Sequence, residues 1–303
     1  MLYGIIDIGS NTMRLAIYLI EGQRMEMLMK KKELVGLAGY LKDGVMQPEG
    51  IDRAAEVLQG FQSFLATFRI TQVVAFTTAA LRNAKNSKEA VAALEARTGL
   101  KIRVITGEEE ATFDFIGATH DLTNDAGILL DVGGGSTEIV AYSGEEIEEK
   151  VSLPIGSLAL RTDYVQGVLP LREECLRMHE RAEGVLAGLM GFENLASPEI
   201  VGIGGTFKGA NALYNLVYNQ PATNKRMETR LMRGLIEDFQ IDDGMTEPMT
   251  IQLMKAVPDR MHTIIPGLII ADVIARRFHA RNIIYSDSGV REGFIYAEII
   301  GKK

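Results

Sequence analysis

Two carboxylates on either side of a glycine-rich turn are the side chains of this chain whose spacing best suits chemistry. Asp131 and Glu138 flank three consecutive glycines and a hydroxyl pair, between apolar runs rich in Ile, Leu and Val. This pattern indicates strand, tight turn, strand. Backbone N–H groups in such a turn form an anion-binding concavity, and Mg²⁺ prefers oxygen ligands that it shares with substrate phosphates. The stretch Gly127–Tyr142 therefore predicts a hairpin that holds a metal ion and a phosphate. The alternative is a glycine hairpin with solvated acids.

The same pattern occurs near the N-terminus, in residues 3–18. A shift of 124 positions aligns four pairs of residues: Asp7 with Asp131, Gly9 with Gly133, Thr12 with Ser136 and Tyr18 with Tyr142. Two copies of one strand-turn-strand unit predict two similar half-folds.

Composition narrows the class of protein. The 303 residues suggest two domains, and 47% hydrophobic with 24% charged residues is ordinary for a soluble globular chain. A net charge of −8 gives no general basic field for nucleic acid or an anionic membrane. The single cysteine, Cys175, excludes an intramolecular disulfide framework, which fits a reducing cytosol. We interpret Cys175 itself as a structural residue of a helix. Since no apolar run reaches transmembrane length and the N-terminus has no leader pattern, we expect a cytoplasmic protein without nucleic-acid or membrane partners.

Two further segments place charged side chains at the ends of predicted elements. Arg82 follows the predicted strand 73–76 within one helical turn, and strand C-termini are where ligands bind in open α/β sheets. Arginine suits bidentate phosphate contact, although an exposed arginine at a helix start has the same pattern. The glutamates 108–110 begin an apolar helix, where acids complement the helix dipole. In a phosphate site, a carboxylate at this place can orient or deprotonate water.

The rest of the chain supplies a third glycine turn and scattered charges. Gly202–Thr206 lacks the third glycine and the acid of a dinucleotide fingerprint, so we interpret it as a close backbone approach to another ligand group. The four histidines are not at ligand spacing, so the sequence does not predict a histidine metal site. Five residues offer local positive charge: Arg226, Arg230, Arg233, Lys255 and Arg260. Asp287 and Arg291 are interpreted as an ion pair or as binding residues.

Periodicity and breakers predict the main elements and a boundary in the polar connection 120–125. The domains are predicted as 1–123 and 124–303, with the last helix packing back on the first domain. The main elements predicted are helices 48–68, 87–98, 207–218 and 266–280, helices within 157–192 with a break at 167–170, strands 102–105 and 283–285, and a final helix to residue 300.

Six segments in order resemble the motifs of the exopolyphosphatase / guanosine pentaphosphate phosphatase (Ppx/GppA) family, and they span almost the whole chain. They are Asp7–Thr12 (DIGSNT), Thr78–Arg82 (TAALR), Gly107–Ala111 (GEEEA), Asp131–Glu138 (DVGGGSTE), Gly204–Thr206 (GGT) and Ser286–Gly293 (SDSGVREG). The resemblance implies an α/β fold of two ribonuclease-H-like domains of the actin/sugar-kinase/Hsp70 superfamily around a central cleft. It also implies the short, two-domain form, without an HD-type helical domain.

The resemblance further implies roles for individual residues. Glu110 matches the catalytic carboxylate, and Arg82 matches a phosphate-contacting arginine. Asp131 and Glu138 match metal-associated acids, and we expect Asp7 to join them. The phosphate- or substrate-binding candidates are Gly9, Ser10, Asn11 and Thr12, then Gly133, Gly134, Gly135 and Ser136, then Gly204, Gly205 and Thr206.

The expected activity is hydrolysis of a terminal phosphoanhydride, in inorganic polyphosphate or the guanosine polyphosphate pppGpp. The expected cofactor is Mg²⁺ or another divalent cation, and a homodimer is expected from the family and from the commonness of two-fold assemblies. Two alternatives stay open: an ATP-dependent small-molecule kinase of the same superfamily, and a catalytically silent nucleotide or polyphosphate sensor. The segment Gly107–Ala111 favours the phosphatase, because it resembles that family's motif rather than the acceptor base of a sugar kinase.

Overall fold

The computed structural model describes residues 1–118, 125–193, 195–242 and 245–301. The chain divides into two compact units: unit 1 comprises Met1–Glu110 with Ala297–Lys303, and unit 2 comprises Ala111–Tyr296. The boundary predicted between residues 123 and 124 lies outside the described residues. Within the described ranges, no helix combines the length and apolar character needed to cross a membrane.

Unit 1 is a twisted sheet with helices. Its strands are β1 (Leu2–Ile8), β2 (Thr12–Glu21), β3 (Arg24–Leu34), β4 (Leu41–Lys42), β5 (Val45–Met46), β6 (Gln72–Thr77) and β7 (Ile102–Val104). Its helices are α1 (Pro48–Thr67), α2 (Ala79–Arg82), α3 (Ser87–Thr98) and the start of α4 (Gly107–Ala118), with a 3₁₀ turn at Leu37–Tyr40.

The main sheet of unit 1 has the order β3-β2-β1-β6-β7. Strands β1, β2 and β3 are antiparallel neighbours, whereas β6 and β7 run parallel to β1. The apolar runs of β1 and β2 are buried, and Ala54, Leu58, Phe61 and Leu65 bring the apolar stripe of α1 into the same core. Helix α3 stops at Gly99, whose φ of +70° is the left-handed conformation that a glycine adopts readily at a helix end. The predicted helices 48–68 and 87–98 are confirmed.

Unit 2 repeats this plan with additions. Its strands are β8 (Ala126–Val132), β9 (Thr137–Ser143), β10 (Glu146–Leu153), β11 (Glu199–Ile203), β12 (Arg226–Glu228) and β13 (Asn282–Tyr285). Its helices, besides α4 from Ala111, are α5 (Ser157–Tyr164), α6 (Arg172–Leu186), α7 (Gly204–Val217), α8 (Thr229–Phe239), α9 (Glu247–Ala256), α10 (Ile264–Arg277) and α11 (Val290–Phe294), with a 3₁₀ turn at Pro258–Arg260. A π-helix at Ile295–Ile300 begins in unit 2 and continues into the C-terminal segment of unit 1.

The sheet of unit 2 has the order β10-β9-β8-β11-β13-β12. Three antiparallel strands followed by two parallel ones reproduce the order of unit 1, and β12 adds an antiparallel edge strand. The predicted duplication of the half-fold is therefore confirmed, as is the ribonuclease-H-like α/β class.

Some details of unit 2 differ from the sequence prediction; for example, α10 spans Ile264–Arg277 rather than residues 266–280. Helix α7 begins at Gly204 rather than at residue 207; the φ of Gly204 is +81°, a left-handed conformation that glycine adopts readily. The edge strand Arg226–Glu228 was not predicted; it is three residues long and forms by pairing with β13. Helix α10 is buried on all sides, which explains its continuous apolar sequence.

Candidate functional site

The two glycine turns close in the same way. The Gly9 amide donates a hydrogen bond to the Thr12 carbonyl at 3.2 Å, and the Gly133 amide donates to the Ser136 carbonyl at 2.9 Å. These donors and acceptors are the residues that the shift of 124 positions aligns. The predicted strand-turn-strand pair is confirmed, and the structure adds a backbone hydrogen bond that both turns share.

Each turn is also held by the amides of a segment that follows the third strand of its sheet. The Ser10 carbonyl accepts a hydrogen bond from the Ala38 amide at 3.0 Å, and the Gly134 carbonyl accepts from the first-turn amides of α5. In a trans peptide the C=O and the following N–H point in opposite directions. The N–H groups of Asn11 and Gly135 therefore point away from these segments, as a backbone anion site requires.

Two contacts fix the turn of unit 2 from other directions. A Cβ on Gly156 would lie 2.5 Å from the Gly134 carbonyl, so only glycine allows this approach. The Thr206 hydroxyl donates to the Val132 carbonyl at 2.6 Å. Gly156 was missed at the sequence level; a glycine immediately before the start of α5 was the available signal.

Asp131 and Glu138 are direct cross-strand partners on β8 and β9. Glu138 is buried, with 1% of its surface exposed, and its Oε1 accepts a hydrogen bond from the Ser152 hydroxyl at 2.7 Å. Gly204 packs so closely against the Asp131 carboxylate that a Cβ there would collide with it. Like charges directly opposite each other in a sheet are destabilising, and buried charges require compensation. A cation bound at this pair would offset both charges.

The donor chemistry of this pair fits Mg²⁺ or a similar hard divalent cation, which binds through one or two carboxylates plus phosphate and water oxygens. Across the described ranges there is no group of three or more His, Cys, Asp or Glu able to hold a metal. A cation on Asp131 and Glu138 would accordingly complete its coordination with substrate oxygens and water.

Asp7, the third predicted metal ligand, lies in unit 1, where it forms an ion pair with Arg14. Its carboxylate is 4% exposed, and the Arg14 guanidinium lies 3.3 Å away. The shift of 124 positions aligns Arg14 with Glu138. Sequence reasoning missed Arg14, although this alignment would have revealed it.

Arg82 and Glu110 form a close ion pair in unit 1, with 2.5 Å between Nη1 and Oε2. The same nitrogen lies 3.4 Å from the Ile105 carbonyl. Helix α2 follows β6 directly, and the Thr77 hydroxyl at the strand end donates to the Ile8 carbonyl at 3.0 Å. The Arg82 side chain is 14% exposed, so it is not the exposed helix-start arginine of the alternative interpretation.

The three glutamates at the start of α4 are in different environments. Glu109 forms a capping box with Thr106: its amide donates to the threonine hydroxyl, and its carboxylate accepts from the threonine amide at 2.7 Å. Burial opposes ionisation of Glu109, but the Thr106 amide and the Arg103 guanidinium outweigh it and lower its pKa. Glu108 is exposed, and Glu110 is buried. The capping role thus belongs to Glu109, whereas Glu110 is buried and paired with Arg82.

The remaining candidates take other places. Gly204, Gly205 and Thr206 form the first turn of α7. Arg226 pairs with Glu199 and Arg233 with the buried Asp272, so neither is a freestanding source of positive charge. Asp287 contacts Tyr285 and Lys208. Cys175 is buried in α6, as predicted.

Comparison with known proteins identifies the group to which these features belong. The Ppx/GppA phosphatase family profile matches residues 16–300. This chain belongs to the Ppx/GppA phosphatase family. The Ppx/GppA enzyme of Aquifex aeolicus is 28% identical, covers 98% of this chain and 99% of its own, and superposes with a TM-score of 0.75.

Two further relatives extend the Ppx/GppA comparison. Exopolyphosphatase 1 of Mycobacterium tuberculosis is 24% identical over 99% of this chain and 88% of its own length. An exopolyphosphatase structure from Cytophaga hutchinsonii shares the fold with a TM-score of 0.86, at 22% identity over 99% of this chain and 98% of its own.

Proposed function

We propose that this Ppx/GppA family member is an exopolyphosphatase that hydrolyses the terminal phosphoanhydride of inorganic polyphosphate with the help of Mg²⁺ or another divalent cation. The observation that carries the proposal is the buried Glu110 carboxylate held 2.5 Å from Arg82. The names of relatives such as exopolyphosphatase 1 of M. tuberculosis support polyphosphate as the substrate. The guanosine polyphosphate pppGpp presents the same kind of terminal bond and is the second substrate of the proposal.

Phosphoryl transfer requires positioning, charge neutralisation and an oriented nucleophile more than covalent catalysis. In the proposed reaction, Glu110 orients the attacking water and accepts its proton. Arg82 binds an oxygen of the terminal phosphate and keeps the Glu110 carboxylate in place. The N–H groups of the two glycine turns bind phosphate oxygens.

Asp131 and Glu138 would hold the divalent cation. When bound, this cation neutralises negative charge on the phosphates as the P–O bond breaks. The proposal also includes a cytoplasmic location, which the single cysteine fits, and a homodimer.

The test is phosphate release with Mg²⁺ from long polyphosphate and from pppGpp, measured side by side for wild type and Glu110→Gln. Release that the substitution abolishes supports the hydrolase, and the ratio of the wild-type rates identifies the preferred substrate. No release from either substrate, together with ADP formation that depends on an added acceptor, would favour the kinase instead.

A further inference from the structure

Each unit carries a row of three side chains across its first three strands, beside its glycine turn. In unit 1 the register places Asp7 opposite Arg14, and Arg14 opposite Lys32. In unit 2 it places Asp131 opposite Glu138, and Glu138 opposite Ser152, which makes Ser152 the counterpart of Lys32. Directly opposed residues share one face of a sheet, so each row lies on a single face.

The two rows differ in charge. The row of unit 1 contains one carboxylate and two cationic side chains, and Arg14 lies 3.3 Å from Asp7. The row of unit 2 contains two carboxylates and a neutral hydroxyl. A charged side chain at position 152 would change this balance, because residues opposite each other in neighbouring strands are ~5 Å apart at Cβ.

Ser152 also makes a specific contact. Its hydroxyl donates to Oε1 of Glu138 at 2.7 Å, while Glu138 itself is buried. A carboxylate has two oxygens with about four acceptor sites. A hydrogen bond to one oxygen restricts the orientation of the carboxylate without adding positive charge. Outer partners of this kind orient metal-ligating carboxylates and tune their affinity.

We propose that Ser152 is a positioning residue for the divalent cation: its hydroxyl orients Glu138 and, because it is neutral, adds no positive charge beside the carboxylate pair. This inference rests on the proposed function, because it assumes that Asp131 and Glu138 hold the cation. Ser152 lies two strands away from Asp131, and none of the six motif segments contains it.

The experiment measures Mn²⁺ binding directly, with and without the non-hydrolysable phosphoanhydride analogue imidodiphosphate. Free Mn²⁺ is followed by electron paramagnetic resonance, and protein-bound Mn²⁺ by the relaxation of water protons. The variants are Ser152→Ala, Ser152→Thr and Ser152→Lys. Ser143→Ala is the matched control, since Ser143 is an exposed serine of the same hairpin, and Glu138→Gln is the reference for loss of a ligand.

Ser152→Ala is expected to weaken Mn²⁺ binding about 10-fold, the lower end of the range for outer-shell partners. Ser152→Thr keeps the hydroxyl and is expected to stay close to wild type, as is Ser143→Ala. Ser152→Lys introduces the charge that Lys32 has in unit 1 and is expected to abolish binding. In kinetics, Ser152→Ala should raise the Mg²⁺ concentration for half-maximal activity while kcat at saturating Mg²⁺ stays near wild type.

Two results overturn the inference, and they are distinguishable from each other. If Glu138→Gln weakens Mn²⁺ binding while Ser152→Ala binds like wild type, the role of Ser152 is wrong and the proposed function stands. If wild type holds no Mn²⁺ in either condition, the carboxylate site and the inference both fail. Should Ser152→Ala not fold, the comparison of the Thr and Lys variants decides: equal Mn²⁺ affinities would contradict the inference.

Discussion

Arg82 donates a hydrogen bond of 2.5 Å to Glu110, and the two residues reach this contact from different elements of unit 1. Arg82 ends the single turn that follows β6, whereas Glu110 lies in the first turn of α4. Charge-assisted hydrogen bonds between a guanidinium and a carboxylate are stronger than hydrogen bonds between neutral groups. The pair therefore fixes the orientation of the Glu110 carboxylate, which we propose orients the attacking water.

Removing only the charge of Glu110 should separate catalysis from binding. Glu110→Gln keeps the size of the side chain but cannot accept the proton of water, so we expect kcat for phosphate release to fall about 10²–10⁴-fold. Polyphosphate affinity, measured by equilibrium binding, should stay near wild type. Glu108→Gln is the control, because Glu108 is exposed in the same helical turn and should keep normal turnover. Near-normal kcat in Glu110→Gln would rule out its role as the base.

We expect that lysine cannot fully replace Arg82, although it keeps the positive charge. Arg82→Lys keeps the charge but loses the planar fork that can bind a carboxylate and a phosphate at once. We expect Arg82→Ala to lower kcat/KM about 10²–10³-fold, the range for losing one preorganised donor, and Arg82→Lys to recover only part of it. Arg53→Ala removes an exposed pair with Glu56 on α1, which contributes little, and should leave kcat/KM unchanged. Full activity of Arg82→Lys would show that charge alone suffices.

The buried cysteine predicts how the free energy of unfolding changes with pH. Burial, with a smaller contribution from Glu174, raises the pKa of the Cys175 thiol to about 12. Between about pH 9 and 12 the thiol is ionised in the unfolded chain but stays protonated in the folded chain. The free energy of unfolding should therefore fall as the pH rises. This group contributes up to about 1.4 kcal/mol per pH unit. Thiol reagents at pH 8 should label the protein only after denaturation. The control is Cys175→Ala, whose urea-unfolding free energy should lack this part of the slope; rapid labelling of the native protein would contradict the burial.

Local patterns were enough to predict the two hairpins. The glycine turn of residues 133–136 is bounded by apolar runs whose period and breakers lie within sixteen residues of sequence, and its copy in unit 1 reinforces the interpretation. Helix α3 and its stop at Gly99 were predicted for the same reason, since a helix end depends on neighbouring residues. These features are encoded by short-range interactions.

What the sequence did not reveal depends on pairing between distant segments. Ser152 meets Glu138 only through the register of β9 and β10, which includes a bulge near Ile147. Gly156 matters because it approaches Gly134 from the start of α5. The short edge strand β12 has no periodic pattern of its own and exists through its pairing with β13. Arg14 is a different case, since aligning the two hairpins would have shown that it is the counterpart of Glu138 and carries the opposite charge.

The approach of Gly156 to Gly134 predicts that the second turn is intolerant of a single methyl group. Gly156→Ala places a Cβ 2.5 Å from the backbone of Gly134, so the turn must move and its amides lose their alignment. We expect phosphate release to fall at least about 10²-fold, comparable to the loss of a preorganised donor, with a lower melting temperature. Gly60→Ala is the matched control, because a Cβ at this exposed position of α1 meets nothing within 4 Å. It should stabilise the protein by about 0.5–1 kcal/mol and leave activity unchanged.

Giving the row of unit 2 the arginine that unit 1 has tests the proposed cation site. Glu138→Arg gives unit 2 the residue that unit 1 has at Arg14, so Asp131 gains a protein cation in place of a metal ion. We expect this variant to fold, to bind no Mn²⁺ in the relaxation assay and to release no phosphate. Glu138→Gln is the comparison, since it removes one ligand without supplying a charge and should retain weak Mn²⁺ binding through Asp131. A Glu138→Arg protein that still binds Mn²⁺ as tightly as wild type would place the cation elsewhere and remove the proposed role of both carboxylates.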